Sequence, residues 1–315
     1  MDKFISCDWG TSSLRLRLVE TEKQNVLAEV LSQQGIAAIY ALWKNNSSDR
    51  FLSYRTIVFE GIKMLSAQCG YKLDDIALVI SGMASSGIGM VELEYKMIPV
   101  NTIGNDFLLH KIEPVDDFKH QMIIVSGVKS SGDVMRGEET IIAGCEIKNI
   151  SDKQLFILPG THSKHIIVKD GMITDFKTFM TGELFDLLAT KSILSCSVKR
   201  ENSTSKEIDS SFETGVKHGA YNNLLSSIFN VRTNMLFHKL SQHENYYYLS
   251  GLLIGTELKD ISQSNYSTVT VVSDEKFLPL YSGALSILKI TKSVNCITVD
   301  KALIKGQRAI YKLYQ

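Results

Sequence analysis

Four short runs in the sequence carry residue types that could bind phosphate and move a proton. The first is Asp8-Trp9-Gly10-Thr11-Ser12, where an apolar run ends in an acid and a small, hydroxyl-rich turn follows. Gly10 lets the backbone come close to a ligand. Thr11, Ser12 and the next residue, Ser13, offer the amide and hydroxyl donors a phosphate needs. Asp8 is placed to hold a hydrated Mg2+ rather than to touch phosphate. The second run, Ser81-Gly82-Met83-Ala84-Ser85-Ser86, follows an apolar stretch, and open α/β sheets bind ligands just past the carboxyl ends of such strands. The third, Asp133-Val134-Met135-Arg136-Gly137-Glu138-Glu139-Thr140, offers acids for general-base work beside an arginine. The fourth, Pro159-Gly160-Thr161-His162-Ser163-Lys164, is a second Gly/Thr/Ser turn after an apolar run. Each has a plain alternative: a polar hairpin turn, a flexible loop, or acids favoured at a helix N-terminus by its dipole.

The elements that must position these runs follow from periodicity. Phe4–Arg17 reads as strand, turn, strand, with 25–30 as a third antiparallel strand. Residues 50–68 have helical spacing and end at a Gly70 stop signal. Residues 76–80 and 121–125 read as buried strands, and 126–132 as a small-residue loop. Residues 149–153 are linker-like. Strands at 155–158, 165–168 and 172–176 follow, the last two joined by the Asp170-Gly171 turn signature. Thr181 is expected to cap a helix. Residues 190–245 read as helical, with a solvated loop over 199–209. Residues 246–249 read as a short strand into a helix that places Gly251 and Gly255 on one packing face. Strands at 268–272 and 295–299 alternate with helices at 277–288 and 302–313. The second half thus repeats the first: strand, Gly-Thr-Ser turn, strand, turn, strand.

Composition removes several classes of function. Lysines and arginines balance aspartates and glutamates, 34 against 34, so no basic excess points to nucleic acid or an anionic membrane. No apolar run is long enough to span a bilayer and no signal peptide is expected, which leads to a cytoplasmic expectation. The five cysteines are scattered without a CxxC spacing, so neither a zinc site nor a disulfide framework is indicated.

These residues carry a family resemblance. Asp8-Trp9-Gly10-Thr11-Ser12 looks like the first phosphate motif of the actin-like ATPase superfamily of sugar kinases. The Asp133–Thr140 and Leu158–Lys164 runs, with Phe179–Leu184 and Leu249–Gly255, resemble the 2-dehydro-3-deoxygalactonokinase family in order along the chain. The resemblance implies an α/β fold of two actin-like (ribonuclease H-like) domains with mixed sheets around an interdomain cleft. The expected division is 1–150, with the first phosphate motif and the sugar-acid loop, and 151–315, with the second phosphate loop and the adenosine region. It implies ATP and Mg2+ as cofactors. Asp8, Gly10, Thr11 and Ser12 would serve the first phosphate and metal site, Gly160, Thr161, His162, Ser163 and Lys164 the second, and Ser81–Ser86 the sugar acid. Ser273-Asp274 stands where the adenosine motif usually has a glycine.

The implied activity is phosphorylation of 2-dehydro-3-deoxy-D-galactonate at a primary hydroxyl. Phosphoryl transfer needs alignment, neutralised charge and an oriented nucleophile. Glu138 is the leading candidate base, with Asp133 next; Glu139 has helix capping as its other role. Arg136 and Lys164 are candidates to steady a carboxylate or the transferring phosphate. His162 reads as a hydrogen-bonder that shapes its loop. The competing readings are a kinase for another keto-deoxy sugar acid or related sugar, an actin-like ATP switch that phosphorylates no sugar, and a non-catalytic relative. A homodimer is carried as a candidate assembly that nothing in the sequence specifies.

Overall fold

The N-terminal alternation forms the hairpin it predicts. In the computed structural model, which describes residues 2–46, 49–200, 206–263, 266–290 and 294–314, β1 (Lys3–Trp9) pairs antiparallel with β2 (Leu14–Glu20). In turn β2 pairs antiparallel with β3 (Val26–Ser32). Helices α1 (Ile36–Lys44) and α2 (Arg50–Cys69) follow. Asp49 caps α2 by accepting the Leu52 amide at 2.8 Å, and Gly70 ends it at φ 74°, a left-handed turn that glycine adopts without strain. The chain continues through β4 (Leu78–Gly82), β5 (Lys96–Met97), β6 (Val100–Asn101), β7 (Leu109–Ile112) and β8 (Met122–Val125). A short hairpin, β9 (Val128–Lys129) and β10 (Val134–Met135), leads to α3 (Glu138–Ala143). The main sheet of this half has the order β3-β2-β1-β4-β8-β7, with β1, β4 and β8 parallel.

The second half opens with β11 (Gln154–Leu158), β12 (Ser163–Lys169), β13 (Met172–Phe179) and α4 (Thr181–Lys191). Helices α5 (Lys206–Tyr221), α6 (Leu224–Leu236) and α7 (Gln242–Leu258) come next. The chain closes with β14 (Thr268–Ser273), α8 (Leu278–Ile287), β15 (Val294–Thr298) and α9 (Val299–Leu313). Here the strand order is β15-β14-β11-β12-β13, with β11 antiparallel to β12 and parallel to β14. The order repeats that of β8-β4-β1-β2-β3, so the duplication read from the two Gly-Thr-Ser turns is present in the strands themselves. The fold is mixed α/β, as the actin-like resemblance implies.

Two compact units result. One comprises 1–150, 171–175 and 299–315, and the other 151–170 and 176–298. The first core packs Trp9, Leu14, Leu16 and Ile80 against α2, with Trp9 edge-on to Tyr54 at 5.4 Å. The second packs Leu155, Ile157 and Val271 against α5, α7 and α8. Residues 299–315, which the sequence reading places with the second domain, belong to the first unit. The reason is close backbone packing: a Cβ on Gly306 of α9 would lie 1.8 Å from the Thr140 carbonyl oxygen of α3. Tyr311 also stacks on Phe4 at 5.3 Å.

Two local expectations differ from what is observed. Residues 246–249 are helical, in the middle of α7. A capping box, in which Ser241 and Glu244 satisfy each other's amides, starts that helix upstream and carries it through the tyrosines. Thr181 is the first residue of α4 rather than its cap, and its hydroxyl is used elsewhere. The loop expected over 199–209 falls partly outside the described residues, and α5 begins at Lys206. Gly251 and Gly255 do form a packing face: a Cβ on either would come within 2.3 Å of a carbonyl oxygen of α5. Among the described residues no helix is long and apolar enough to cross a membrane.

Candidate active site

In the first unit, the carboxyl ends of β1 and β4 lie side by side, with Asp8 paired to Ser81 and Trp9 to Gly82. Asp8 also stands opposite Arg15 across the hairpin. Burial pushes the Asp8 carboxyl above its ordinary value, while the Arg17 and Arg15 guanidinium groups pull it down. Those arginines are held by Asp300 at 2.7 and 2.8 Å. The turn after Asp8 is closed by the Gly10 amide donating to the Ser13 carbonyl at 2.9 Å. It is backed by the start of α1: the Ile36 and Ala37 amides donate to the Gly10 and Thr11 carbonyls, at 3.0 and 3.1 Å. Gly35 makes this contact feasible, since a Cβ there would sit 2.3 Å from the Thr11 carbonyl oxygen.

The third run meets this edge through glycine. Gly137, at φ 109°, brings its backbone so near Gly82 that an added Cβ would be 3.2 Å from the Gly82 Cα. Glu138 follows as the first residue of α3 and accepts the Arg136 amide at 2.9 Å. Glu139 is fully buried and accepts the Gly137 amide at 2.8 Å and the Thr140 hydroxyl at 3.0 Å. Burial, then the neighbouring Glu138 charge, push its carboxyl up to about 8. Asp133 is the last residue of the turn that joins β9 to β10, where its carboxylate accepts the Val134 amide at 2.7 Å. The Arg136 guanidinium donates to the Ser85 carbonyl and hydroxyl, both at 2.6 Å, and lies 4.1 Å over the Tyr95 ring.

The Ser81–Ser86 run is the end of β4 and the largely buried turn that follows it. Ser81 accepts the Gln307 amide at 2.8 Å, Ser85 donates to the Val125 carbonyl at 2.6 Å, and Ser86 donates to the Met83 carbonyl at 2.7 Å. Ala84 is buried as well, so Met83 is the more exposed residue of this run.

In the second unit, Gly160 and Thr161 form a turn that closes one end of a cavity of about 1290 Å³. Thr181 and Gly182 at the start of α4 stand beside them, and Asp274, Phe277 and Tyr281 line another wall. The turn is again backed by a helix start. The Glu183 amide donates to the Thr161 carbonyl at 3.0 Å, and a Cβ on Gly182 would sit 2.4 Å from the Gly160 carbonyl oxygen. His162 is exposed and pairs with Glu183, which ties the turn to α4. Ser163 and Lys164 are buried on β12.

Ser273 is buried at the end of β14, and its hydroxyl has no hydrogen-bond partner among the described residues. Asp274 is exposed, and its carboxylate accepts the Lys276 and Phe277 amides, both at 3.1 Å. The acid that stands where a glycine was expected thus shapes the turn into α8.

Beneath the second turn lies a residue that sequence reading missed. Glu257 of α7 is buried, and its two oxygens accept four hydrogen bonds. Ser163 donates at 2.7 Å and His165 at 2.9 Å to one, and Tyr281 at 2.8 Å and Thr181 to the other. Burial raises this carboxyl, but the His165, Thr181 and Ser163 hydrogen bonds and the His165 charge outweigh it and leave it below its ordinary value. The available signal was a lone acid inside the apolar Gly251–Leu258 run. Gly35 and Gly182 were missed too, because their requirement arises only once a distant turn packs on them.

Comparison with known proteins gives the family. A family model described as 2-keto-3-deoxy-galactonokinase matches residues 8–310. A Rhizobium meliloti protein named "Probable 2-dehydro-3-deoxygalactonokinase" is 30% identical, with 98% of each chain covered. The 2-dehydro-3-deoxygalactonokinase of Escherichia coli is 25% identical, covering 98% of this chain and 97% of its own. A Sinorhizobium meliloti crystal structure named for the same activity superposes with a TM-score of 0.83 at 29% identity, covering 99% and 96% of the two chains. The chain belongs to the 2-keto-3-deoxy-galactonokinase family.

Proposed function

We propose that this protein is an ATP-dependent kinase that phosphorylates 2-dehydro-3-deoxy-D-galactonate on its 6-hydroxyl. The observation that carries the nucleotide part is the second-unit cavity. Its size exceeds the roughly 300–1,000 Å³ of drug-sized ligand pockets, which suits a nucleoside triphosphate. A glycine-threonine turn braced on a helix start supports phosphate binding at one end, and the Phe277–Tyr281 wall supports an adenosine at the other. The substrate follows from the family, whose relatives are named for it.

The residues of the first unit fit Mg2+. The Asp8 carboxylate accepts no hydrogen bond among the described residues, and no cluster of three or more metal-ligating side chains exists among them. The Asp8 oxygens are thus open to an ion that waters and phosphate oxygens also hold. Bound Mg2+ would neutralise charge on the transferring phosphoryl group. Within the first unit Asp8 would hold the ion and the Gly10–Ser12 turn would offer donors to phosphate oxygens; within the second the Gly160–Thr161 turn would offer its own. Glu138 takes the proton from the attacking hydroxyl as the oxygen–phosphorus bond forms and ADP leaves. Glu139 fixes the Gly137 amide and hence the entry into α3, and Arg136 fixes the Ser85 turn. Because the serine hydroxyls of the 81–86 run are committed within the protein, backbone groups there and the Met83 side chain would meet the sugar acid. Such a kinase would work in the cytoplasm, where ATP is supplied.

ADP release with ATP and Mg2+, without acceptor and with a panel of 2-keto-3-deoxy sugar acids of both C4 configurations, tests the reading. Release that requires the galactonate-derived acid is expected. Release with a different acid would move the specificity, and acceptor-independent release would replace the kinase with an ATP switch.

A further inference from the structure

We infer that Glu257 is a positioning residue for the nucleotide: it holds the second turn and the start of α4 at a fixed separation, so that both present their donors to the same phosphates. The inference rests on the nucleotide reading of the second-unit cavity.

Its basis is geometric. A carboxylate offers about four lone-pair positions, and here four donors fill them. The donors come from separate places: Ser163 and His165 on β12, Thr181 at the start of α4, and Tyr281 on α8. Thr181 and Tyr281 line the cavity directly, and Ser163 follows the Gly160–Thr161 turn that lines it. The Glu257 side chain is only 1% exposed, and that of His165 is 8% exposed. Neither residue lines the cavity. A buried charge is costly unless paired and hydrogen-bonded, and apolar side chains would fill the same space at less cost. What the carboxylate adds is direction: it sets the rotamers of three hydroxyls and one imidazole at once. His165 is held in place by its contact with Phe179, ring centres 4.5 Å apart.

The test is a comparison of Michaelis constants for the two substrates. Glu257→Gln preserves shape but leaves one acceptor oxygen, so two of the four donors must turn. We expect the KM for ATP to rise about tenfold, while the KM for the sugar acid stays within about twofold. His165→Gln should raise the KM for ATP by roughly threefold. The double variant should be no worse than Glu257→Gln, since both act through one network. A merely structural role would lower the melting temperature and the amount of active enzyme, and leave the ATP KM alone. Glu257→Gln with an unchanged ATP KM, or with both KM values raised equally, overturns the inference. If Glu257→Gln does not fold, His165→Gln decides it by the same split. Calorimetric binding of MgATP to the wild type separates the two levels. No binding refutes the nucleotide reading and the inference with it. Binding that is equal in wild type and folded variants refutes only the inference.

Discussion

The two Gly-Thr turns of this protein are built alike and charged differently. Each follows the first strand of its sheet, and each rests on the N-terminus of the helix after the third strand. In each, a glycine, Gly35 or Gly182, lets that helix come within contact of the turn backbone. The difference lies in the acid. Beside the first turn, Asp8 is the last but one residue of its strand, partly exposed and free of hydrogen bonds among the described residues. Beneath the second, Glu257 is buried and saturated by four donors. An acid left free can take a metal ion, whereas one with every lone pair used can only hold its neighbours still. The repeat therefore keeps the cradle in both units, and the proposed function divides the work, giving the metal and the base to the first unit and the larger share of nucleotide binding to the second.

This division predicts that substitutions in the first unit act on kcat and those in the second on the KM for ATP. The largest effect is expected at Glu138: Glu138→Gln should lower kcat by about 10²–10⁴ with ATP binding nearly intact. Turnover near the wild-type value would pass the base role to Asp133. Asp8→Asn should lower kcat by roughly 10² and raise the Mg2+ concentration needed for half-maximal rate; an unchanged Mg2+ dependence would remove Asp8 from the metal site.

The glycines sharpen the comparison. Gly35→Ala and Gly182→Ala each force a methyl against backbone, and each should cost about 1–3 kcal/mol in a denaturation measurement. Of the pair, Gly182→Ala should weaken ATP binding the more. If both variants weaken it equally, the division of labour fails.

A smaller effect contrasts the two buried glutamates. The Glu139 carboxyl is raised to about 8, so its contribution to stability is full below its unfolded value, near 4.5, and is lost as pH rises toward 8. The Glu257 carboxyl is lowered, so its contribution is present above the ordinary glutamate range and is lost as pH falls through its folded value. Denaturant midpoints measured across pH should show Glu139→Gln gaining on the wild type from pH 5 to 9. Glu257→Gln should lose least at the acid end. Parallel curves for the two variants would contradict these assignments.

Much of the scaffold was legible because local pattern decided it. The β1–β2 hairpin followed from alternation, α2 from its spacing and its Gly70 stop, and the duplication from two similar turns. The 246–249 segment was misread because three aromatic residues resemble a strand, while the Ser241–Glu244 capping box that starts its helix lies upstream. Residues 299–315 were placed with the wrong half because contact between Gly306 and Thr140 is a fact of packing, not of chain position. At the site, the motif residues were legible as motifs, but the partners of their side chains were not. Nothing local shows that Ser163 and Thr181 converge on Glu257, or that Arg136 is committed to Ser85.

The most direct test of the account is 31P NMR of the purified protein with ATP, Mg2+ and 2-dehydro-3-deoxy-D-galactonate. The account predicts ADP and a single new phosphate monoester in equal amounts, with the ester phosphorus coupled to the protons of the terminal carbon. ADP accompanied by inorganic phosphate and no ester would contradict it.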